Sequence, residues 1–199
     1  MEPALDFWFE FASTYSYPAA ARIADAAGRA RVRVNWRPLL LGPIFGSQGW
    51  NDSPFNIYPV KGRYMWRDLE REAAALGLPF RRPNPFPQNS LAAARVAVYG
   101  LDHPWGVTFA KAVYQTEFGE GRSIAEPAAV HAILVRLGLD ADSILKTAAA
   151  EPNKTRLKAL TEQARSRGVF GAPTFFVGEQ MFFGQDRLDF VREALLAQS

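Results

Sequence analysis

Cysteine is absent from this 199-residue chain, and that absence removes whole classes of chemistry. No structural disulfide, no thiolate zinc cluster and no dithiol redox centre can be built from these side chains. Histidine is scarce. His103 and His131 are the two present, both in helical surroundings with no acid or nucleophile at a telling spacing, and both are expected to be structural. With no paired-histidine motif and no glycine-rich phosphate loop, no metal site is expected. No apolar run approaches membrane-spanning length, and the start, MEPALDFWFEF, lacks the basic residues and long apolar core of a secretory leader. A soluble, cytoplasmic protein without a membrane partner is expected. Neither sign of charge dominates: 23 basic and 20 acidic residues are interspersed for a net charge of +3. Such a surface suits small anionic molecules and gives no reason to expect nucleic acid.

What is present is a core-forming chain, 48% hydrophobic and long enough for one compact domain. Leu5 to Phe11 reads as a buried strand, followed by a polar turn, Ser13-Thr14-Tyr15-Ser16, and a helix started by Tyr17, Pro18 and the alanines after it. Arg31 to Arg37 alternates and is expected to be a second strand, parallel to the first across a right-handed βαβ crossover. Pro38 to Pro59, rich in Gly, Pro, Asn and Ser, is expected to be a long loop that shapes a binding site. Lys61 to Leu76 has the pattern of an amphipathic helix. A proline-rich extended segment, Arg81 to Gln88, follows, with Ser90 as a candidate cap for a helix over Leu91 to Tyr99. Further helices are expected over Trp105–Thr116, Glu126–Leu137, Ala141–Ala149 and Asn153–Arg167. Strand character returns at Thr174–Val177 and Met181–Phe183, a hairpin around Gly178-Glu179, before a last helix from Leu188 to Ala197. The order βαβ, helical block, ββα describes an α/β fold of one domain, residues 1–199. Its sheet-forming part is expected over about 1–60 and 168–199, with an all-helical insertion over about 61–167.

Three polar spots stand out, each with an ordinary reading beside it. Ser13 delivers a hydroxyl to the first turn of a helix, where unpaired N–H groups and the helix dipole favour an anion; serine is also a common N-cap. Gly171-Ala172-Pro173-Thr174 sets a proline directly before a strand; Pro173 is expected to be cis and to face the Ser13 turn, although trans is the usual state there. Gly184-Gln185-Asp186-Arg187 opens the last helix; its acid, next to free N–H groups, suits a zwitterionic ligand as well as it suits a helix terminus.

In order and at these distances, Phe9-x-Phe11-x-Ser13-x-Tyr15-Ser16-Tyr17, Gly171–Thr174 and Phe183–Leu188, together with KGRYMWRDLEREAAALGLP, resemble the 2-hydroxychromene-2-carboxylate isomerases and the kappa-class glutathione transferases. The likeness runs over nearly the whole chain. It implies a thioredoxin-like fold shared with Dsb-type oxidoreductases, a homodimer, and glutathione as cofactor. Ser13 and Ser16 then stand where such oxidoreductases carry the cysteines of Cys-x-x-Cys, so that the site holds the thiolate of another molecule. The resemblance makes Ser13 the catalytic hydroxyl beside the glutathione sulfur. It gives Ala172 and Pro173 the cysteinyl backbone, and Phe183, Gly184, Gln185 and Asp186 the γ-glutamyl end. Asn51 or Asn56 corresponds to a polar loop residue of the kappa-type enzymes. Thr14 departs from both groups, in which proline usually follows the serine. So do Phe45 and Phe55-Asn56, which align with a lysine and an Asn-Arg pair of the isomerases.

For a small aromatic carboxylate substrate, Phe45 and Phe86, with Trp8, Phe9 and Trp50, are candidate pocket aromatics, and Lys61, Arg37 and Arg63 candidate carboxylate partners; core packing and solvated charge are their ordinary roles. Three functions follow. The first is a glutathione-dependent isomerase of 2-hydroxychromene-2-carboxylate, the second a kappa-class-like glutathione transferase. The third is a non-catalytic thioredoxin-like module that binds a partner along the same proline edge.

Overall fold

The structure, a computed structural model, describes residues 4–30 and 32–197. Among these, β1 (Ala4–Phe9), β2 (Arg33–Pro38), β3 (Thr174–Val177) and β4 (Gln180–Phe183) form one sheet in the order β2-β1-β3-β4. β1 runs parallel to β2, with Phe7 opposite Trp36, and antiparallel to β3, with Phe7 opposite Phe175; β3 and β4 form the expected hairpin. Arg31, expected to begin the second strand, lies outside the described residues.

The helices are α1 (Ser16–Ala30), α2 (Leu41–Ser47), α3 (Pro54–Ile57), α4 (Pro59–Ala75), α5 (Leu91–Gly100), α6 (Gly106–Tyr114), α7 (Pro127–Arg136), α8 (Ala141–Ala148), α9 (Glu151–Ser166) and α10 (Leu188–Leu196). All of α4 to α9 falls between β2 and β3, so the fold is a thioredoxin-like α/β sheet interrupted by a helical block. Both faces of the sheet are covered. Phe7, Phe9 and Phe175 pack with Ile23 of α1, Val113 and Tyr114 of α6 and Val191 of α10. On the other face Trp8 and Phe176 meet Leu39, Ile44 of α2 and Ala164 of α9. This double cover explains why Phe7-Trp8-Phe9 of β1 is an uninterrupted apolar run rather than an alternation. Phe7 stacks on Phe175 at 5.4 Å and meets Trp36 edge-on at 4.9 Å. Phe7→Ala would cost about 3–5 kcal/mol in lost burial and cavity.

Several local expectations are corrected. Pro38 to Pro59 is not a plain loop: Leu41, Ile44 and Phe45 recur at helical spacing, and α2 forms to bury Ile44 against Trp8 and Leu39. α3 follows, with Ser53 as its N-cap through a bond from the Phe55 amide. β1 ends at Phe9, two residues early, and Phe11 leaves the sheet while staying buried. α6 stops at Tyr114 and passes into a π-helical turn, Gln115–Gly119. α9 begins at Glu151, because Pro152 fits a helix's first turn. Ser90 does not cap α5: its hydroxyl is given to Glu10, and Asn89 Oδ1 accepts the Leu91 amide instead, at 3.0 Å.

Candidate active site

β1 hands the chain through Glu10, Phe11 and Ala12 to Ser13, and α1 begins three residues later. The turn is closed by the Ser13 amide donating to the Glu10 carbonyl at 3.1 Å and the Ser16 amide donating to the Ser13 carbonyl at 3.1 Å. Two side chains of the turn tie it to α4: Thr14 Oγ1 donates to Met65 Sδ at 3.1 Å, and Tyr15 Oη to Asp68 Oδ2 at 2.8 Å. Burial, and then Asp68, push the Tyr15 phenol well above its ordinary value, so Tyr15 is a fixed donor. Ser13, almost fully buried, donates to the Ala172 carbonyl at 2.8 Å, 159 residues along the chain. Its hydroxyl is therefore spent across the site and not on its own helix.

On the facing edge the Ala172–Pro173 peptide is cis, as expected; Asn84–Pro85 and Phe86–Pro87 are cis as well, which was not. Thr174 Oγ1 donates to the Gly171 carbonyl at 2.8 Å, and the Gly184 amide to the Pro173 carbonyl at 3.0 Å. Gly184 has a φ of 106°, a conformation open to glycine, and a Cβ there would lie 2.5 Å from Asp186 Oδ1. The carboxyl of Asp186 thus folds back over Gly184, with Oδ2 3.3 Å from Arg187, and stays exposed to solvent. Gln185 is buried and accepts from Arg22 Nη1 of α1 at 3.0 Å. Phe183 is half exposed and packs on Phe170, ring centres 4.6 Å apart.

A separate cleft of about 330 Å³ is lined by Asn56, Arg82, Pro83, Asn84, Pro85 and Phe86. Phe86 rests edge-on against Trp66 at 4.8 Å, and the Arg82 guanidinium lies 4.6 Å over the same indole. Trp66 follows Met65 on α4, so this helix touches the Ser13 turn through Met65 and backs two of the cleft's lining residues through Trp66. Asn56 Nδ2 bridges Asp52 and the Phe86 carbonyl, the latter at 3.1 Å.

The structure therefore gathers Ser13, Ala172, Pro173, Gly184, Gln185 and Asp186, with Phe183 at the rim, and puts Asn56 and Phe86 at the cleft. Asn51 is exposed in the turn between α2 and α3. Phe45 sits on α2 against Trp50, centroids 5.6 Å apart, and Lys61 is exposed on α4 over the Tyr58 ring. Trp8 and Phe9 do not line a pocket, since both are fully buried in the core. Arg37 is paired with Asp6 at 3.0 Å. His103 Nδ1 lies 3.0 Å from the Tyr99 carbonyl and His131 3.4 Å from Asp142, which leaves both structural. Among the described residues no cluster of His, Cys, Asp or Glu is able to hold a metal, and no helix is long and apolar enough to cross a membrane.

Sequence reasoning missed Arg22, Arg82 and Glu10. Arg22 is one of two cations in an alanine-rich helix and carried no signal. Arg82 belongs to a short basic pair among prolines, and Glu10 interrupts the apolar FWFEF; both irregularities were visible.

Glutathione fits the arrangement on the chemistry of its donors. A zwitterionic γ-glutamyl group needs an acceptor for its ammonium, which Asp186 offers, and N–H groups for its carboxylate, which a helix start offers. Glycine at 184 leaves room for the Asp186 carboxyl, which folds back over the turn while staying exposed to solvent.

Comparison with known proteins points the same way. The model of the DSBA-like thioredoxin domain matches residues 4–196. A 2-hydroxychromene-2-carboxylate isomerase of Sphingobium xenophagum is 32% identical over 98% of this chain and 100% of its own length. Glutathione s-transferase kappa 2 of Caenorhabditis elegans is 25% identical, over 95% of this chain and 90% of its own. Among solved structures, a 2-hydroxychromene-2-carboxylate isomerase superposes with a TM-score of 0.86 at 27% identity, covering 98% of this chain and 95% of its own. The chain belongs to the DSBA-like thioredoxin family and, within it, to the 2-hydroxychromene-2-carboxylate isomerase family.

Proposed function

We propose that the chain is a glutathione-dependent isomerase that interconverts 2-hydroxychromene-2-carboxylate, or a related aromatic carboxylate, and trans-o-hydroxybenzylidenepyruvate. The observation that carries the reading is the Ser13 hydroxyl, nearly buried and 2.8 Å from the Ala172 carbonyl in a chain that has no cysteine. Glutathione supplies a thiolate able to add reversibly to an electron-poor conjugated carbon, which makes a double bond rotatable until the sulfur leaves. Ala172 and Pro173 hold its cysteinyl backbone, and Gln185 and Asp186 its γ-glutamyl end. The hydroxyl of Ser13 turns freely about its C–O bond, so the donor now given to Ala172 serves equally for a neighbouring sulfur anion. The first amides of α1 are taken up by the carbonyls of Ser13, Thr14 and Tyr15, so the helix supports that charge through its dipole. Arg82 and Asn56 bind and orient the substrate carboxylate in the cleft, while Phe86, backed by Trp66, covers its ring and excludes water.

The likeness to a kappa-class glutathione transferase keeps one other outcome in play, in which the sulfur stays on the product. An assay with purified protein, 2-hydroxychromene-2-carboxylate and glutathione far below the substrate concentration separates the two. Many turnovers for each glutathione are expected of an isomerase. Conversion that stops when glutathione is consumed indicates a transferase, and conversion indifferent to glutathione overturns both.

A further inference from the structure

Glu10 is an acid in an otherwise apolar stretch, and it is almost completely buried. Four different groups are attached to this one residue. Its main-chain carbonyl accepts from the Ser13 amide at 3.1 Å and from the Tyr114 hydroxyl, at the end of α6, at 3.0 Å. Its carboxyl accepts from the Ser90 hydroxyl at the start of α5. The amide of Ala12, one residue before Ser13, faces the same carboxyl and favours its charged form. A burial this deep is expensive for a carboxylate that does nothing, and here both of its hydrogen-bond partners lead either into the Ser13 turn or into the helical block.

We infer that Glu10 is a positioning residue for Ser13: its carboxylate, gripped by Ser90, locks the turn that carries the hydroxyl onto the helical block. The inference rests on the reading of Ser13 as the hydroxyl beside the glutathione sulfur. Two lengths of chain that are far apart in sequence, β1 to α1 on one side and α5 with α6 on the other, meet at this residue. A charged acceptor holds Ser90 and Ala12 more firmly than a neutral carboxyl does, so the turn is tightest when Glu10 is ionised.

The titratable groups facing it are pushed toward their neutral forms. Glu117, in the π-helical turn, is fully buried with neither carboxyl oxygen partnered among the described residues. Burial, and then the charge of Glu10, push its carboxyl well above the usual range. Tyr114 is pushed up in the same way, by burial first and Glu10 second. Tyr17 of α1, against Tyr114, is raised by burial to about 12. Burial raises Glu10 itself to about 7, while Ser90 and Ala12 pull it down. The turn that carries Ser13 is therefore held more firmly above neutrality than below it, while the main-chain bonds of Ser13 itself persist.

The test is the amide resonance of Ser13 followed against pH by nuclear magnetic resonance on the protein without ligand, beside the pH profile of glutathione-dependent turnover. In the wild type the resonance should titrate with a midpoint near 7, and turnover should fall on the acid side with the same midpoint. Glu10→Gln should abolish that titration and lower kcat about tenfold, the scale of a charged against a neutral hydrogen bond, with glutathione affinity within about twofold. Ser90→Ala should move the midpoint upward, because it removes a bond that favours the carboxylate. Glu117→Gln should leave the midpoint where it is. A Ser13 resonance that is flat in the wild type, or a midpoint unmoved in Ser90→Ala, overturns the inference even if Glu10→Gln fails to fold. Should calorimetry find no glutathione binding, the proposed function fails, and the amide titration still decides what Glu10 does.

Discussion

Ser13, Ala172 and Gly184 are placed by main-chain geometry: a strand end, a cis peptide and a φ of 106°. Asn56, Arg82 and Phe86 are placed by side chains that rest on Trp66 or bridge to Asp52. The first group answers to constraints that few residues satisfy, so glycine, proline and serine recur there in a readable spacing. The second answers to packing, for which many residues serve. The proposed glutathione half of the site and the proposed substrate half thus differ in how narrowly the framework restricts residue type.

The comparison yields its largest test at Ser13. Ser13→Ala should lower turnover at neutral pH by about a hundredfold, as expected from a lost hydrogen bond to a charge worth about 1.5–3 kcal/mol. The loss should shrink at alkaline pH, where the thiol ionises unaided, and the fold should change in stability by no more than about 1 kcal/mol. An equal loss at every pH would separate Ser13 from thiolate stabilisation.

Asp186→Asn keeps the shape of the Gly184 turn and deletes the charge. Glutathione affinity, measured by calorimetric titration, should fall about tenfold, less than a buried pair would give because Asp186 is exposed and already beside Arg187. An unchanged affinity would reduce Asp186 to a helix-terminal acid and favour a non-catalytic module.

On the substrate half, Arg82→Met keeps much of the stem that covers Trp66 and removes the cation. KM for the aromatic carboxylate should rise about fivefold with glutathione affinity unchanged, as expected for one partly exposed ionic contact of about 1 kcal/mol. Lys61→Met, on the exposed side of α4, should change KM by about twofold at most. A larger effect at Lys61 than at Arg82 would move the substrate out of the cleft.

The smallest effect is on stability. Folded Glu10 and Glu117 bind their protons more tightly than the unfolded chain does, so the stability they contribute is full below the ordinary carboxylate value of 4.5. As pH rises toward about 7 that contribution of Glu10 is lost, and Glu117 continues the trend upward. Glu117→Gln should therefore raise the melting temperature more at alkaline than at mildly acidic pH, and a scan showing the reverse would place a partner on Glu117.

How much of this was legible in the sequence follows the same division. Ser13, Pro173 and Gly184 announced themselves because turns and strand starts restrict residue type. The βαβ and ββα ends were readable from alternation at 33–37 and from the hairpin at 174–183. α2 was hidden because glycine and proline at 42, 43 and 46 mask the helical spacing of Leu41, Ile44 and Phe45. Ser90 looked like a cap, and only the folded chain shows that a buried acid 80 residues earlier claims its hydroxyl. The cleft was illegible because it arises where the proline-rich segment 82–86 meets Asn56 of α3, a meeting no local pattern encodes.

The most direct test of the account is the ionisation of glutathione on the protein, followed by the ultraviolet absorbance of its thiolate across pH in the wild type and in Ser13→Ala. The thiol should titrate well below its free value of about 8.5 on the wild type and return toward that value in the variant. A bound thiol that titrates as it does free in water would contradict the account.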